Sequence, residues 1–423
     1  MPFFPCAHAG HPVWQHAVKQ VVVQLHAQIS MQKLEAHCHL GVVYVSEVYA
    51  DHAREIVAML SQALPQVQQW LGCAAHGVLA GDMDYGQSGA VAVMLPQVDA
   101  RDCHVFSGVR PWQPGQFVPH SVLVHGDAAS PRLMADMPLL QAQLAGASLT
   151  GGVCDLQGHH AQWAWGAGEP QNMPMSIGGG GVQVGGFSGI AFAGRVECVA
   201  VGMQGCKPIG ASHHITKVDG DVVLELDGRP ALEVFFSDVN WGDVLKQRHP
   251  NADAIWSKVQ QTMIAMSAPG DYAQGVCIAA QARVMRVAGI DLLRQGVVVQ
   301  GVPKLGETMT ACQADAQAMR TDMRRACAEL WELLTTSAVA SPDAATTSVP
   351  TGRSICGAIY IRNRHRHAAV RQPSVDAELQ LIRHALGPIP LLGFTSSYEI
   401  HAGELQDMSA QLFVFTQPLQ ALT

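Results

Sequence analysis

A short apolar run, LGVVYVS at residues 40–46, most constrains the fold of this chain. An almost uninterrupted apolar run of this length is typical of a strand that is buried on both faces. An amphipathic helix follows it, with Ile56, Val57, Leu60 and Leu64 on one face. Strand, loop and helix in this order predict an α/β layer, and the segments QWLGCAAHGVLAG and GAVAVMLPQV add further strands to it.

Length and composition indicate a compact protein with more than one domain. The chain has 423 residues, of which 48% are apolar and 14% charged. A single core rarely grows to this size, and the low charge argues against long disordered regions. The formal net charge of -8 gives no electrostatic basis for binding nucleic acid, which needs clustered lysine and arginine.

The sequence predicts a cytoplasmic protein. Its N-terminus lacks the basic start and continuous apolar run of a secretory signal. No window approaches the roughly 18 consecutive apolar residues of a membrane span. Eleven cysteines without a CxxC pair indicate neither a disulfide framework nor a structural zinc site, and they suit a reducing compartment. We therefore expect no membrane contact.

Twenty histidines raise the question of a metal or haem site. Three groupings stand out: Cys6, His8, His11 and His16; His37, Cys38 and His39; and His159 with His160. Strand alternation places His37 and His39 on one face, which supplies two ligands where a metal needs three or four. Haem needs a single axial histidine or cysteine, so haem stays an open alternative with no ligand assigned.

Three chemically suggestive patterns are explained by backbone geometry and packing. Gly178 to Gly181 lack the lysine and serine or threonine that close a phosphate loop, so strands and turns are expected there. Apolar residues from Met309 to Leu334 recur every three or four positions and predict the buried stripe of one long helix. The run YIRNRHRHAAVR, residues 360–371, predicts a solvated strand edge or loop, with a small anion-binding patch as the alternative.

The segment MQGCKPIGASHHITKVDGDVVLELDGRPALEV, residues 203–234, predicts a sequence of short elements. A strand ends near its start, GCKPIG forms a turn, two strands pair through an Asp-Gly hairpin, and a helix begins near Pro230. Alternation places His213 and His214 on opposite faces of their strand, so the two do not share a metal.

Four side chains are candidates for ligand binding or catalysis, three of them in this segment and one near the C-terminus. Cys206 beside Lys207 is either an activated thiol exposed by the turn, a pocket-lining residue or a packed one. Lys207 and Arg229 are cations suited to hold a carboxylate, although Arg229 beside a helix start alternatively fixes the turn. Glu399 after an apolar strand is suited to receive an ammonium group or is a surface charge at a strand end.

Several segments together resemble the FIST family, sensory modules with adjoining N and C parts in bacterial signal-transduction proteins and some eukaryotic F-box proteins. The segments include WLGCAAHGVL, QGCKPIG through LDGRPALEV, and LGPIPLLGFTSSYEI, in family order over roughly residues 38 to 416. Matching motif positions are Gly205, Cys206, Lys207, Pro208, Gly210, Asp227, Gly228, Arg229, Pro230, Gly393, Phe394, Glu399 and Ile400. The chain departs from the pattern at Tyr398, where the family commonly has glycine, and we expect this tyrosine to narrow a pocket.

The resemblance implies two interlocked α/β modules with mixed sheets covered by helices. It places an N-terminal helical extension at residues 1–37, the N module at 38–229 and the C module at 230–416. It implies a sensor of a small molecule, with amino acids as one ligand class, that signals through a separate partner such as a kinase or cyclase. The implied ligand-binding residues are Gly205, Cys206, Lys207, Pro208, Arg229, Gly393, Phe394, Tyr398 and Glu399.

Three other functions remain open from the sequence. A haem or metal sensor, for example of nitric oxide, predicts visible absorption. A cysteine-dependent enzyme predicts fast alkylation of Cys206, although the resemblance supplies no catalytic residue. A protein-interaction scaffold predicts capture of a partner without a ligand.

Overall fold

A computed structural model describes residues 3–34, 38–108, 111–113, 115, 117–156, 162–165, 181–183, 186–240, 259, 261–271, 277–279, 281–336, 352–369 and 375–418. Its helices are α1 (Trp14–Gln32), α2 (Ala53–Ala63), α3 (Leu133–Gln143), α4 (Ala231–Asp238), α5 (Ala316–Thr336), α6 (Arg364–Ala369) and α7 (Val375–Leu386). Short 3-10 helices lie at Glu47–His52 and Ala100–Asp102. None of these helices is long and apolar enough to cross a membrane.

Three six-stranded mixed sheets share one strand arrangement. In spatial order, sheet 1 contains β1 (Cys6–Gly10), β6 (Ala90–Met94), β2 (Leu40–Ser46), β3 (Gln69–Ala75), β10 (Gln162–Trp165) and β11 (Gly181–Gln183). Sheet 2 contains β7 (Cys103–Ser107), β12 (Phe187–Ala193), β8 (Pro119–Asp127), β9 (Ser148–Cys154), β23 (Tyr398–His401) and β24 (Glu404–Gln406). Sheet 3 contains β13 (Cys198–Met203), β25 (Ala410–Pro418), β21 (Arg353–Asn363), β22 (Leu391–Ser396), β4 (Val78–Ala80) and β5 (Met83–Asp84).

Each sheet has a single parallel pair at its centre, β2–β3, β8–β9 or β21–β22, and its other described pairings are antiparallel. Each also ends in a hairpin from a different part of the chain. The β4–β5 hairpin follows β3 but joins β22, β10–β11 follows β9 but joins β3, and β23–β24 follows β22 but joins β9. Because this exchange is cyclic, the three sheets surround a common axis.

Aromatic side chains from the three sheets meet at this axis. Tyr44 and His125 occupy equivalent positions, because each comes directly after the residue that pairs with Gly72 or Gly151 on the neighbouring parallel strand. The Tyr44 hydroxyl lies 3.0 Å from His125 Nε2. The Phe394 ring packs against both, at centroid distances of 4.6 Å and 5.5 Å. Burial lowers the pKa of His125 to about 3, so its ring is neutral.

One glycine per parallel pair permits the close approach of strands at the axis. A Cβ atom at Gly72, Gly151 or Gly393 would lie 1.8 Å, 1.8 Å or 2.0 Å from the carbonyl oxygen of the facing residue on the neighbouring strand. A side chain at these positions would force the strands apart.

A closed antiparallel barrel is inserted between β13 and α5. In order around the barrel, its strands are β14 (Cys206–Asp219), β20 (Thr308–Ala314), β17 (Met263–Ser267), β18 (Arg283–Asp291), β19 (Gly296–Val299) and β15 (Val222–Leu226), which pairs back with β14; β16 (Arg229–Pro230) adds a short edge. Its apolar core continues into α4. Helices α1 and α2 pack on sheet 1, α3 on sheet 2, and α5 and α7 on sheet 3.

The structure confirms the predicted mixed α/β fold and its interlocking, since strands of the N part complete sheets of the C part and the reverse. Residues 1–37 contribute a strand as well as the expected helix, because β1 pairs with β6. The predicted strand at 40–46 coincides with β2.

Three local predictions are wrong. GCKPIG is not a turn, because Cys206 to Gly210 begin the strand β14 and Cys206 to Pro208 pair with β20. The long helix begins at Ala316, and Met309 and Cys312 belong to β20. The arginine run is not a solvated edge, since Arg362 and Arg366 are buried in ion pairs with acidic residues.

Several earlier expectations fall outside the described residues. These are the expectations for His37, His159, His160 and Gly178 to Gly180.

Candidate functional site

A cleft of about 650 Å³ lies between α3, the barrel and the β23–β24 hairpin, and we call it the α3 cleft. Its α3 wall is apolar and includes Leu133, Met134, Met137 and Pro138. The barrel wall combines apolar and charged side chains from β18 and the segment after β19. A volume of this size falls in the range of about 300–1,000 Å³ that is typical of small-molecule sites.

Most charges in the α3 cleft are paired with one another. Arg283 contacts Glu307 at 2.6 Å and Glu404 at 3.0 Å, and Lys304 contacts Glu404 at 3.1 Å. The side chain of Arg283 is only 13% exposed, so its guanidinium is largely occupied by these two carboxylates. Asp221 adds a further exposed carboxylate to the lining.

Arg286 differs from these cations because only one edge of its guanidinium is held. Its Nε donates to Asp407, whose side chain is buried and also accepts a 2.7 Å hydrogen bond from the backbone N–H of Met408. The two Nη atoms of Arg286 form no hydrogen bond with the described residues, and the side chain is 31% exposed in the cleft. Asp407 therefore orients the guanidinium of Arg286 through its Nε edge and leaves the two Nη donors available to a ligand in the cleft.

A polar cluster lies beside the cleft, at the carboxyl ends of the parallel strand pairs; we call Glu47, His76, Asp155, Arg364 and His365 the axial cluster. Each of these residues follows the end of β2, β3, β9 or β21. Carboxyl ends of parallel strands are where α/β proteins commonly bind ligands. Three sheets that surround one axis thus bring side chains from distant segments together.

Hydrogen bonds fix the two histidines of the axial cluster. His76 Nδ1 lies 3.0 Å from Glu47 Oε2, and Arg364 donates to His76 Nε2 at 2.8 Å and to His365 Nε2 at 3.1 Å. A guanidinium only donates, so both Nε2 atoms accept. Arg364 Nη2 also lies 3.8 Å from Asp155 Oδ2.

His365 connects the axial cluster electrostatically to the α3 cleft. Burial, assisted by the Arg286 guanidinium, lowers the pKa of His365 to about 4, while Asp407 acts in the opposite direction. The imidazole is neutral near pH 7 and is suited to hydrogen bonding without adding charge to the site.

Tyr398 is the predicted ligand-binding residue that lines the α3 cleft. It is half-buried, and its hydroxyl accepts a 2.9 Å hydrogen bond from Gln300 Nε2 across the cleft wall. Its effect on ligand access stays a prediction.

Glu399 lies directly behind Tyr398 and is fully buried. It contacts the hydroxyls of Ser396 at 2.5 Å and Ser409 at 2.8 Å and the Asn363 amide at 3.2 Å. Burial raises the pKa of Glu399 to about 8. This placement differs from the exposed carboxylate expected for an ammonium ligand and instead ties together the ends of β21, β22 and β25.

Ser396 supports a protonated Glu399 independently. Its hydroxyl lies 3.0 Å from the Arg362 carbonyl oxygen as well as 2.5 Å from Glu399 Oε1. One hydroxyl proton serves only one of these oxygens. A proton on Glu399 Oε1 lets Ser396 accept from the carboxyl and donate to the carbonyl.

The predicted motif residues near β14 lie away from the α3 cleft lining and have clear packing roles. A Cβ at Gly205 would lie 2.7 Å from Met319 Cγ, and Cys206 is 1% exposed in an apolar cluster with Cys312. Lys207 contacts Asp315 at 3.2 Å, and Asp315 caps the start of α5 by accepting from two backbone N–H groups.

The remaining predicted residues lie in separate places. Pro208 pairs with Cys312 in the barrel, and Arg229 is exposed and contacts Glu233 at 2.6 Å. Gly393 and Phe394 lie at the axis, where both are buried. The structure therefore brings Tyr398 to the cleft wall and distributes the other members of the predicted set elsewhere.

Sequence reasoning missed Arg286, Asp407 and the α3 methionines. Arg286 lies in an alternating strand pattern that carries no ligand signal, and Asp407 follows the last matching motif position, Ile400. No metal site was assigned, and among the described residues no three His, Cys, Asp or Glu side chains form a group that could hold a metal ion.

Family models match most of this chain. The FIST N domain matches residues 39–229 and the FIST C domain matches residues 269–402. The chain belongs to the FIST family, which confirms the resemblance found in the sequence. FIST domains are sensory domains of signal transduction that bind small molecules.

Similar proteins occur in mycobacteria. The chain is 24% identical over 376 residues to uncharacterized protein MT0656 of Mycobacterium tuberculosis (strain CDC 1551 / Oshkosh), covering 85% of this chain and 86% of that protein. It is also 24% identical over 376 residues to uncharacterized protein Mb0898c of Mycobacterium bovis (strain ATCC BAA-935 / AF2122/97), covering 85% of each. Their names state no ligand or partner.

Proposed function

We propose that this protein senses a small molecule, an amino acid or a related metabolite, in the α3 cleft and signals through a separate protein such as a kinase or cyclase. The observation that carries the proposal is that the cleft is lined from both parts of the chain. Met134 and Met137 belong to the N part, whereas Arg286 and Tyr398 belong to the C part.

A ligand that contacts both walls favours one relative arrangement of the two parts. Such a ligand shifts the population by its differential affinity for the two arrangements, and a partner that recognises one of them reads the signal. In this proposal the modules are residues 38–229 and 230–416, and the exchanged hairpins transmit the change. The eleven free thiols suit a reducing, cytoplasmic setting.

Native mass spectrometry of the purified protein tests the proposal. We expect an excess mass of a small organic molecule that is lost on denaturation. Met134→Trp should abolish retention, because Met134 is 56% exposed on the cleft wall and a bulkier ring there fills the cleft. Met31→Trp is the matched control, since Met31 is 83% exposed on α1 away from the cleft.

The outcomes separate the alternative functions. Equal retention by wild type and both variants would place the ligand elsewhere and contradict the proposal. A haem-sized excess with visible absorption would favour a haem sensor. Stable capture of a partner by protein that holds no ligand would favour a scaffold.

A further inference from the structure

The charges of the α3 cleft define the class of molecule that it binds, and this inference rests on the proposed function. We propose that the ligand is an amphipathic monocarboxylate whose carboxylate pairs with Arg286 and whose apolar body lies along α3. The proposal follows from the one-sided hydrogen bonding of Arg286, the pairing of the other cations and the apolar part of the cleft lining.

Arg286 is prepared for an anion before any ligand arrives. Asp407 holds its Nε and is itself held by the Met408 N–H, while the backbone N–H of Asp407 donates to the Val284 carbonyl at 3.0 Å. The guanidinium plane is thereby fixed, and fixing it in advance reduces the entropy lost on binding. Two parallel Nη donors match the two oxygens of a carboxylate.

The other charged groups restrict the ligand to a single anionic group. Arg283 already contacts two carboxylates, and Lys304 shares Glu404 with it. Asp221 and Glu404 add negative charge to the lining. A second anionic group on the ligand would face these carboxylates without a free cation among the described lining residues.

The apolar part of the α3 cleft lining suits an apolar body of variable shape. Met134 and Met137 contribute flexible thioethers from α3, and Leu133, Met285, Val302 and Leu405 complete the apolar lining. Methionine side chains adapt to irregular ligands and make favourable contacts with aromatic rings. An aryl or alkyl group attached to the carboxylate therefore fits this lining.

Isothermal titration calorimetry with five probes of similar size tests the inference. The probes are phenylbutyrate, homophenylalanine, phenylbutylamine, phenylbutanol and the dicarboxylate benzylsuccinate. We expect the first two to bind about 10- to 100-fold more tightly than the amine, the alcohol and the dicarboxylate, because a hydrogen-bonded charge pair contributes that factor. Met134→Trp should remove binding of every probe.

Two arginine variants locate the carboxylate. Arg286→Lys keeps the charge beside Asp407 but loses the two parallel donors, and Arg286→Gln loses the charge; phenylbutyrate affinity should fall about tenfold or more in both. Arg294→Gln is the matched control, since Arg294 is exposed and paired with Asp291 and Asp219. Thermal unfolding of each variant checks the fold, and Arg286→Lys keeps the test valid if Arg286→Gln unfolds.

The results separate this inference from the proposed function. Equal affinity for phenylbutyrate, phenylbutylamine and phenylbutanol would overturn the proposal that the ligand is a monocarboxylate held by Arg286. Unchanged phenylbutyrate affinity in Arg286→Lys would overturn it as well. If no probe binds while wild type retains a ligand that Met134→Trp loses, the ligand class is overturned and the sensing site stands. If no probe binds and no ligand is retained, both are overturned.

Discussion

The substitution Glu399→Gln tests whether the buried carboxyl behind the cleft is protonated in the folded protein. Glutamine has the same shape as a protonated glutamate and can donate to Ser396 while it accepts from Ser409 and Asn363. We expect the variant to fold, and we expect its stability to respond differently to pH.

The magnitude follows from the difference in pKa between the folded and unfolded states. Burial raises the pKa of Glu399 to about 8 in the folded state, against a reference value of 4.5. The folded state therefore binds the proton more tightly, and stability is lost as pH rises from about 4.5 through 8. At 1.36 kcal/mol per unit, wild type should lose roughly 3 to 4 kcal/mol between pH 5 and pH 8 from this group alone.

Urea unfolding at several pH values measures this effect. The stability difference between Glu399→Gln and wild type should move in favour of the variant by roughly 3 to 4 kcal/mol over the same interval, because glutamine does not ionise. Glu233→Gln is the matched control, since the Glu233 side chain is 59% exposed and pairs with the equally exposed Arg229. An exposed ion pair of this kind contributes less than about 1 kcal/mol, so any change in the control's difference from wild type over the same interval should stay below that size.

A stability difference between Glu399→Gln and wild type that does not change with pH would refute the reasoning. It would mean that Glu399 is ionised in the folded state, and that the hydroxyls of Ser396 and Ser409 both donate to it. A difference that moves in favour of wild type at higher pH would contradict the sign of the pKa change.

Three further predictions follow from the packing. Gly393→Ala should destabilise the protein by about 1–3 kcal/mol or more, because the added methyl group meets a carbonyl oxygen at 2.0 Å, whereas Gly108→Ala has open space; urea unfolding compares the two. Cys206 should react with iodoacetamide much more slowly in the folded than in the unfolded protein, since it is 1% exposed, and fast labelling by mass spectrometry would contradict its burial. Arg229→Ala should change stability by less than about 1 kcal/mol, because its ion pair with Glu233 is exposed, and should leave ligand retention unchanged.

Local periodicity was sufficient to predict the elements that are buried on their own. The apolar run at residues 40–46 is a strand with every residue buried, and the helical spacing of Ile56, Val57 and Leu60 matches the buried face of α2. These patterns reflect which side chains leave water, and they need no knowledge of distant partners.

Errors arose where a distant partner decides the local structure. The glycines and proline of GCKPIG predict a turn, but β20 pairs with this segment and extends it. The arginine run predicts a solvated segment because the run itself contains no acidic partner. Asp84, which pairs with Arg362, lies 278 residues away, and Glu378, which pairs with Arg366, lies 12 residues away on another helix. Neither ion pair leaves a pattern within the run.

The candidate site was predictable only in part, for the same reason. Tyr398 was singled out because it departs from a family motif. Arg286 and Met134 come from different strands and helices that meet only through the exchanged hairpin β23–β24 and the inserted barrel. The conspicuous motif around Cys206 and Lys207 instead stabilises the start of α5 and the packing beneath it.

Methionine-methyl NMR tests most directly whether the α3 cleft binds the ligand. Among the residues that the structure describes, the methionines Met134, Met137 and Met285 line the cleft, and Met31 and Met83 are exposed outside it. On titration with phenylbutyrate or homophenylalanine, we expect saturable shifts of the three cleft methyl signals and unchanged signals from Met31 and Met83. Saturable binding that leaves the three cleft signals in place would contradict binding in the α3 cleft.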